Sequence, residues 1–186
     1  MIEILATLSA SAAAGMRIGI PLLIIGLLQG SNLWSQVPIL SHLSPSLLLG
    51  CLTSWSLVEL LASKKLWGQR ILQLIQLSLS PLVGAIMGLA VATATTAPNW
   101  LIALIGGLFA LVLQLVQVGW FYRLRGLPLW AVFLQDTLCI ALVFFAFDAP
   151  RQGGLLALIL LWLALLSVKQ WYNWYHQGKR YISKNN

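Results

Sequence analysis

The sequence predicts an all-α fold, a polytopic membrane helix bundle of about six transmembrane helices. Three observations carry this expectation. Hydrophobic residues make up 60% of the 186 and charged residues 8%, where soluble domains sit near roughly 45–50% and about 25%. Mean hydropathy is +0.89. Six apolar stretches approach or exceed the roughly 20 residues that cross a hydrocarbon core. A compact soluble fold must cover its surface with polar groups, and this chain lacks them.

The elements follow in order. The first span, Ile4–Leu28, has Glu3 as its only early charge and is too apolar for too long to be a cleaved signal peptide, so it is expected to stay as a helix. It holds Arg17 and Pro21. The second, Ser46–Ala62, carries Glu59. The third, Leu72–Ala92, holds Pro81 beside Ser78 and Ser80, with Gln73 and Gln76 before them. The fourth, Trp100–Tyr122, carries Gln114 and Gln117; the fifth, Leu129–Phe147, carries Asp136; the sixth is Leu155–Trp171. Residues 1–175 read as a single transmembrane domain and 176–186 as a basic cytoplasmic tail. Loops are short, and only Ser31–Ser44 has room for a small lid. Six spans divide into two three-helix halves. Because three is odd, such a 3+3 repeat would be inverted, with Glu59 and Asp136 each in the middle helix of a half.

Orientation comes from the bases. Lys64, Lys65 and Arg70 fall after the second span, Arg123 and Arg125 after the fourth, and Lys169, Lys179, Arg180 and Lys184 at the C-terminal end, nine of the eleven in all. The fifth loop has only Arg151. With six spans, the positive-inside rule then puts both termini in the cytoplasm. The same punctuation argues against nucleic acid as the partner of the net +7 charge, since such binders gather bases on one folded face. The partners expected are the bilayer and anionic headgroups at the basic loops and tail, with a homo-oligomer or a larger membrane complex as further candidates. Seven of the nine Trp lie at or beyond span ends, where their rings anchor at headgroups.

Charges inside spans are costly, at least about 2.5–3.5 kcal/mol each, and need a reason. Arg17, Glu59 and Asp136 are three such charges. Pro21 has no N–H to give the Arg17 carbonyl, and Pro81 none to give Leu77, so the first and third helices are expected to be interrupted there. Irregular backbone at membrane depth must be covered by protein or face a water-filled cavity. Two readings fit: Arg17 ties helices together through an acid, or the three charges and the two helix breaks form a polar site. The four glutamines serve either. Gly15/Gly19, Gly84/Gly88 and Ala103/Gly107 are small-xxx-small pairs that permit close helix packing. Cys51 and Cys139 read as small hydrophobes. No His falls in a span, and no phosphate loop or nucleophile–base set is present, so neither a metal, a cofactor, a catalytic residue nor enzymatic activity is expected.

The opening SASAAAGMRIGIP at residues 9–21 resembles that of an uncharacterised bacterial membrane family, domain of unknown function DUF 4126. The resemblance continues at Val58–Lys64 (VELLASK), Ser80–Ala85 (SPLVGA) and Leu134–Leu138 (LQDTL). Ser63 stands where the family has Asp, and Gln135 where it has Glu. The resemblance implies a six-helix protein of a bacterial inner or internal membrane and marks Arg17, Glu59 and Asp136, with no established activity. The function expected is a small transporter or channel-like protein with a polar site near Arg17. The alternative is a non-catalytic accessory or assembly subunit of a larger membrane complex.

Overall fold

The computed structural model describes residues 2–29, 44–64, 66–91, 98–124, 126 and 128–184. They form seven helices: α1 (Ile2–Met16), α2 (Gly19–Gln29), α3 (Pro45–Ala62), α4 (Leu66–Val91), α5 (Asn99–Leu124), α6 (Leu129–Asp148) and α7 (Pro150–Lys184). Four segments are long and apolar enough to cross a membrane: Trp67–Val91, Asn99–Arg123, Leu129–Asp148 and Pro150–Gln170. No strand is present among the described residues. The expected lid loop, with Trp34 and His42, lies outside them.

The bundle is apolar outside and keeps a set of polar side chains buried within an otherwise apolar core. Leu27, Trp67, Trp100 and Trp162 are each more than 60% exposed, while Glu59 is 0%, Gln114 1% and Gln76 2% exposed. Such an outer surface suits lipid and not water. These helices and their polarity make the chain a membrane protein.

The architecture turns on α1. From Ser9 to Met16 every residue of this helix is buried, and α4, α5, α6 and α7 all pack against it. Only a helix of small side chains can sit at such a centre. Its Ala, Ser and Gly residues bring four backbones close, and dispersion and hydrogen bonds replace the hydrophobic driving force that lipid cannot supply. Ser9 Oγ donates to the Leu142 carbonyl at 2.7 Å and Ser11 Oγ to that of Gly84 at 3.1 Å. A Cβ on Gly15 would stand 2.8 Å from the Ala110 carbonyl oxygen, and one on Gly84 would stand 2.6 Å from that of Gly106. The expected small-residue pairs are thus contact surfaces inside one chain.

These contacts fix direction. Arg17, Ala13 and Ser9 meet Asp136, Cys139 and Leu142 in turn, so α1 is antiparallel to α6. Ser11 meets Gly84 and Thr7 meets Gly88, so it is antiparallel to α4 as well. Gly106 then Ala110 face Ser11 then Gly15, so α5 runs with α1, and Gly153 and Gly154 at the start of α7 sit beside Ser9 and Leu5. One end of the bundle therefore holds the starts of α1, α5 and α7 and the ends of α4 and α6. The other holds the end of α3, tied to α4 where Gln69 donates to the Ser63 carbonyl at 2.7 Å. It also holds Ser167 of α7, which accepts from Trp120 at 2.5 Å. Lys64, Arg70, Arg123 and Lys169 cluster at this second, basic end, away from the start of α1. Six full spans would put the start of α1 at the basic end; it lies instead at the opposite one.

The two proline expectations part company. The first span is broken, into α1 and α2, at Arg17–Ile18. Pro21 is the third residue of α2, in the first turn, where a missing N–H has no intrahelical partner to lose. At Pro81, by contrast, α4 continues without interruption, which corrects the expected break of the third helix. The backbone there is covered: a Cβ on Gly107 would lie 2.7 Å from the Pro81 carbonyl oxygen, so α5 packs directly on the proline turn. In α7 the helix persists through Lys184, so the residues expected as a separate tail continue it as far as that residue.

Substituting Gly84→Val should force α4 and α5 apart and lower the melting temperature in detergent by the equivalent of about 1–3 kcal/mol. Gly50, where an added Cβ would meet nothing within 4 Å, should accept Ala with no measurable change.

Candidate functional site at the broken first helix

At Met16 the small-residue helix stops, leaving carbonyls at the end of α1 and amides at the start of α2 without partners in their own helices. Inside a membrane these groups must be satisfied by protein, and members of each set find partners on other helices. The Glu59 carboxylate of α3 accepts from the Gly19 N–H at 2.8 Å and the Ile18 N–H at 3.3 Å, capping α2 from a different helix. On the α1 side, Gln135 Nε2 donates to the Met16 carbonyl at 2.7 Å. The Ala13 carbonyl takes the Arg17 N–H at 3.0 Å and lies 3.5 Å from Cys139 Sγ.

Charge follows the helix dipoles. A helix N-terminus favours an anion and a C-terminus a cation. Glu59 sits at the first and Arg17 directly after the second. The guanidinium then joins the remaining acid: Arg17 Nε to Asp136 Oδ1 is 2.7 Å, and Arg17 Nη1 to Glu59 Oε1 is 3.8 Å. Arg17 is 4%, Glu59 0% and Asp136 9% exposed. Arg17 therefore pairs with both acids, Asp136 more closely. All three sequence-selected charges meet at one point, beside Pro21; Pro81 is not part of it. Two carboxylates face one guanidinium, and the amides of Ile18 and Gly19 offset the excess negative charge.

Glutamines extend the cluster. Gln76 Nε2 donates to Glu59 Oε1. Gln114 Nε2 donates to Gln73 Oε1 at 3.1 Å and reaches Gln76 Oε1 at 3.5 Å. Gln135 also bonds Gln117 Oε1 at 3.3 Å. Four of these glutamines are candidates from sequence, whereas Gln135 reads there only as a lost acid. Its role depends on its being an amide, because an ionised Glu has no proton to give the Met16 carbonyl. The signal available was its place next to Asp136. The Ser56 hydroxyl, 5% exposed and close to Gly19, has no hydrogen-bond partner among the described residues.

Because α1 ends at Met16, the space it fills between α5, α6 and α7 is open toward the basic end. A cavity of about 720 Å³ lies there, with Met16, Gln117 and Gln135 among its lining and Trp120 and Lys169 nearer the basic end. Ligand sites commonly hold about 300–1,000 Å³. Gln135 and Met16 stand between this cavity and the Arg17–Asp136 pair, each adjacent in sequence to one member. Among the described residues no three His, Cys, Asp or Glu side chains gather as a metal site requires.

Fold and site together define a membrane helix bundle with a central helix broken inside the core and charged at the break. The family follows from the sequence: residues 4–170 match the model for domain of unknown function DUF4126, and the chain belongs to that family. No curated protein and no solved structure matches the chain.

Arg17→Ala should leave two buried carboxylates without their cation and destabilise the protein by about 3–5 kcal/mol, seen as a sharp fall in melting temperature in detergent. Gln135→Leu, which strands only a neutral carbonyl, should cost about 1–3 kcal/mol.

Proposed function

We propose that this protein is a small transporter whose working site is the charged break between α1 and α2. The observation that carries the reading is the discontinuous helix itself, with Arg17 at one pole and Glu59 at the other. Broken helices of this kind build solute and ion sites in many transporter folds. Asp136 is the movable partner. When it takes a proton, Arg17 loses its closest counter-charge and is free to hold a small anion, so proton and anion pass together. The unmatched Ser56 hydroxyl beside the break supplies a further polar contact.

The crossing number belongs to the same reading. The start of α1 lies at the end of the bundle opposite the start of α4, so α1, α2 and α3 together make one net crossing. Four more follow, α4 to α7. The total in this reading is odd, in place of six. It puts the start of α1 on the far side of the membrane and the basic end in the cytoplasm, as the positive-inside rule asks. Reporters fused before Met1 and after Asn186 should therefore give opposite signals; equal signals would overturn this topology.

The tight closure of the ion pair favours a second reading, the accessory subunit. A structural tether needs no path to Arg17, and Gln135 and Met16 close the cavity from it.

Proteoliposomes with an entrapped pH dye separate the two. Under inward gradients of chloride, nitrate or phosphate, the transporter should acidify the lumen, and Asp136→Asn and Arg17→Gln should each cut the rate at least tenfold. No acidification above protein-free vesicles with any of these anions, together with stable co-purification in a larger membrane complex, would establish the accessory role instead.

A further inference from the structure

We propose that the cavity between α5, α6 and α7 is a binding site for one anionic phospholipid of the leaflet at the basic end, with an acyl chain inside and the headgroup at Lys169. The proposal rests on the cavity and not on transport, and its test is separate from the flux assay.

Three features select this occupant. The walls are those of a hydrocarbon slot: Leu113, Val116, Leu138, Leu160, Leu163 and Ala164 line it. Of its polar groups, the Gln135 Nε2 amide is already engaged by the Met16 carbonyl and by Gln117 Oε1. A water-filled chamber would need polar groups free to bind water, and this one offers few.

The depth matches one leaflet. On α7 the lining runs from Leu160 to Gln170, about 15 Å at 1.5 Å per residue. That is half of a hydrocarbon core about 30 Å thick. The rim includes Leu134 and Leu166, which are 63% and 42% exposed. The slot therefore opens sideways between α6 and α7, the route by which a chain enters from the bilayer.

The charge at the rim is positive. Lys169 and Gln170 stand at the mouth, and no acidic residue lines the cavity. Trp120 Nε1 donates to Ser167 Oγ across the α5–α7 seam at 2.5 Å, setting an indole at headgroup level. A smaller cavity of about 260 Å³ on the other side of that bridge shares Val116, Trp120 and Ser167 and adds Arg123. Two cations thus flank one aromatic bridge where a phosphate of that leaflet lies, each worth about 1 kcal/mol toward anionic lipid near the surface.

The experiment is native mass spectrometry of the full chain. The protein is purified in detergent, delipidated, and re-equilibrated with mixed micelles of phosphatidylglycerol and phosphatidylcholine of matched chains. One phosphatidylglycerol should be retained per protein, at least fivefold over phosphatidylcholine. Lys169→Gln should abolish that preference, leaving weak retention of either lipid. Ala164→Phe should fill the slot and remove retention of both; Ala131→Phe, on the α6 wall, serves if the first variant fails to fold. Equal retention of the two lipids by the unmodified protein would overturn the headgroup assignment. Undiminished phosphatidylglycerol retention by a folded slot-filling variant would place the lipid elsewhere and overturn the site.

Discussion

The structure depends on a carboxylate from one helix closing the broken end of another. Glu59 accepts the two amides that open α2, stands within ion-pair range of Arg17 and receives Gln76. Without it, the amides of Ile18 and Gly19 would lose their acceptor in a medium of low dielectric constant, where an unmet polar group costs several kcal/mol. The break therefore cannot exist apart from α3, and α3 has little other reason to hold its place, since much of its surface faces outward. Break and cap have to form together.

The break in turn sets the shape of the bundle. While α1 continues, its small side chains let four helices close around it. Where it stops, nothing of that girth replaces it, and the same four helices cannot collapse further without clashing at the level above. The cavity near the basic end is the geometrical remainder of a central helix that ends early. Interiors otherwise pack to crystal density, so a volume of about 720 Å³ in so small a protein is a specific feature, with apolar walls and a cationic rim that give it a chemistry.

Polar residues in this core divide into two kinds of work. Ser9 and Ser11 bond neighbouring backbones and hold helices at short distance. The glutamines act as a relay around the charges, so that buried carboxylates and carbonyls are met without further charge. Gln135 belongs to both, fixing the end of α1 and separating the ion pair from the cavity. A carboxylate at that position would place a third negative group near Asp136 and lose the bond to Met16, so the amide is matched to its surroundings.

By itself the sequence determined the class of fold and the cast of the site. Composition and apolar run length require helices in a membrane, because no other open structure satisfies its backbone there. Arg17, Glu59 and Asp136 were legible because charges in apolar runs are rare and costly, and the break was legible from Pro21. What only the tertiary structure decided was pairing and direction. In a continuous helix Pro21 and Pro81 would each remove one bond, but close packing by Gly107 accompanies a helix that stays whole at Pro81, while at the first span the chain breaks ahead of Pro21 and Glu59 and Arg17 meet the opened ends. The bases along the chain mark one end of the bundle, yet a count of apolar runs does not tell that the start of α1 lies away from that end. Span length measures how far a helix can reach and not which way it runs; direction was set by which small residues of α1 could meet which backbones, a matter of three-dimensional fit.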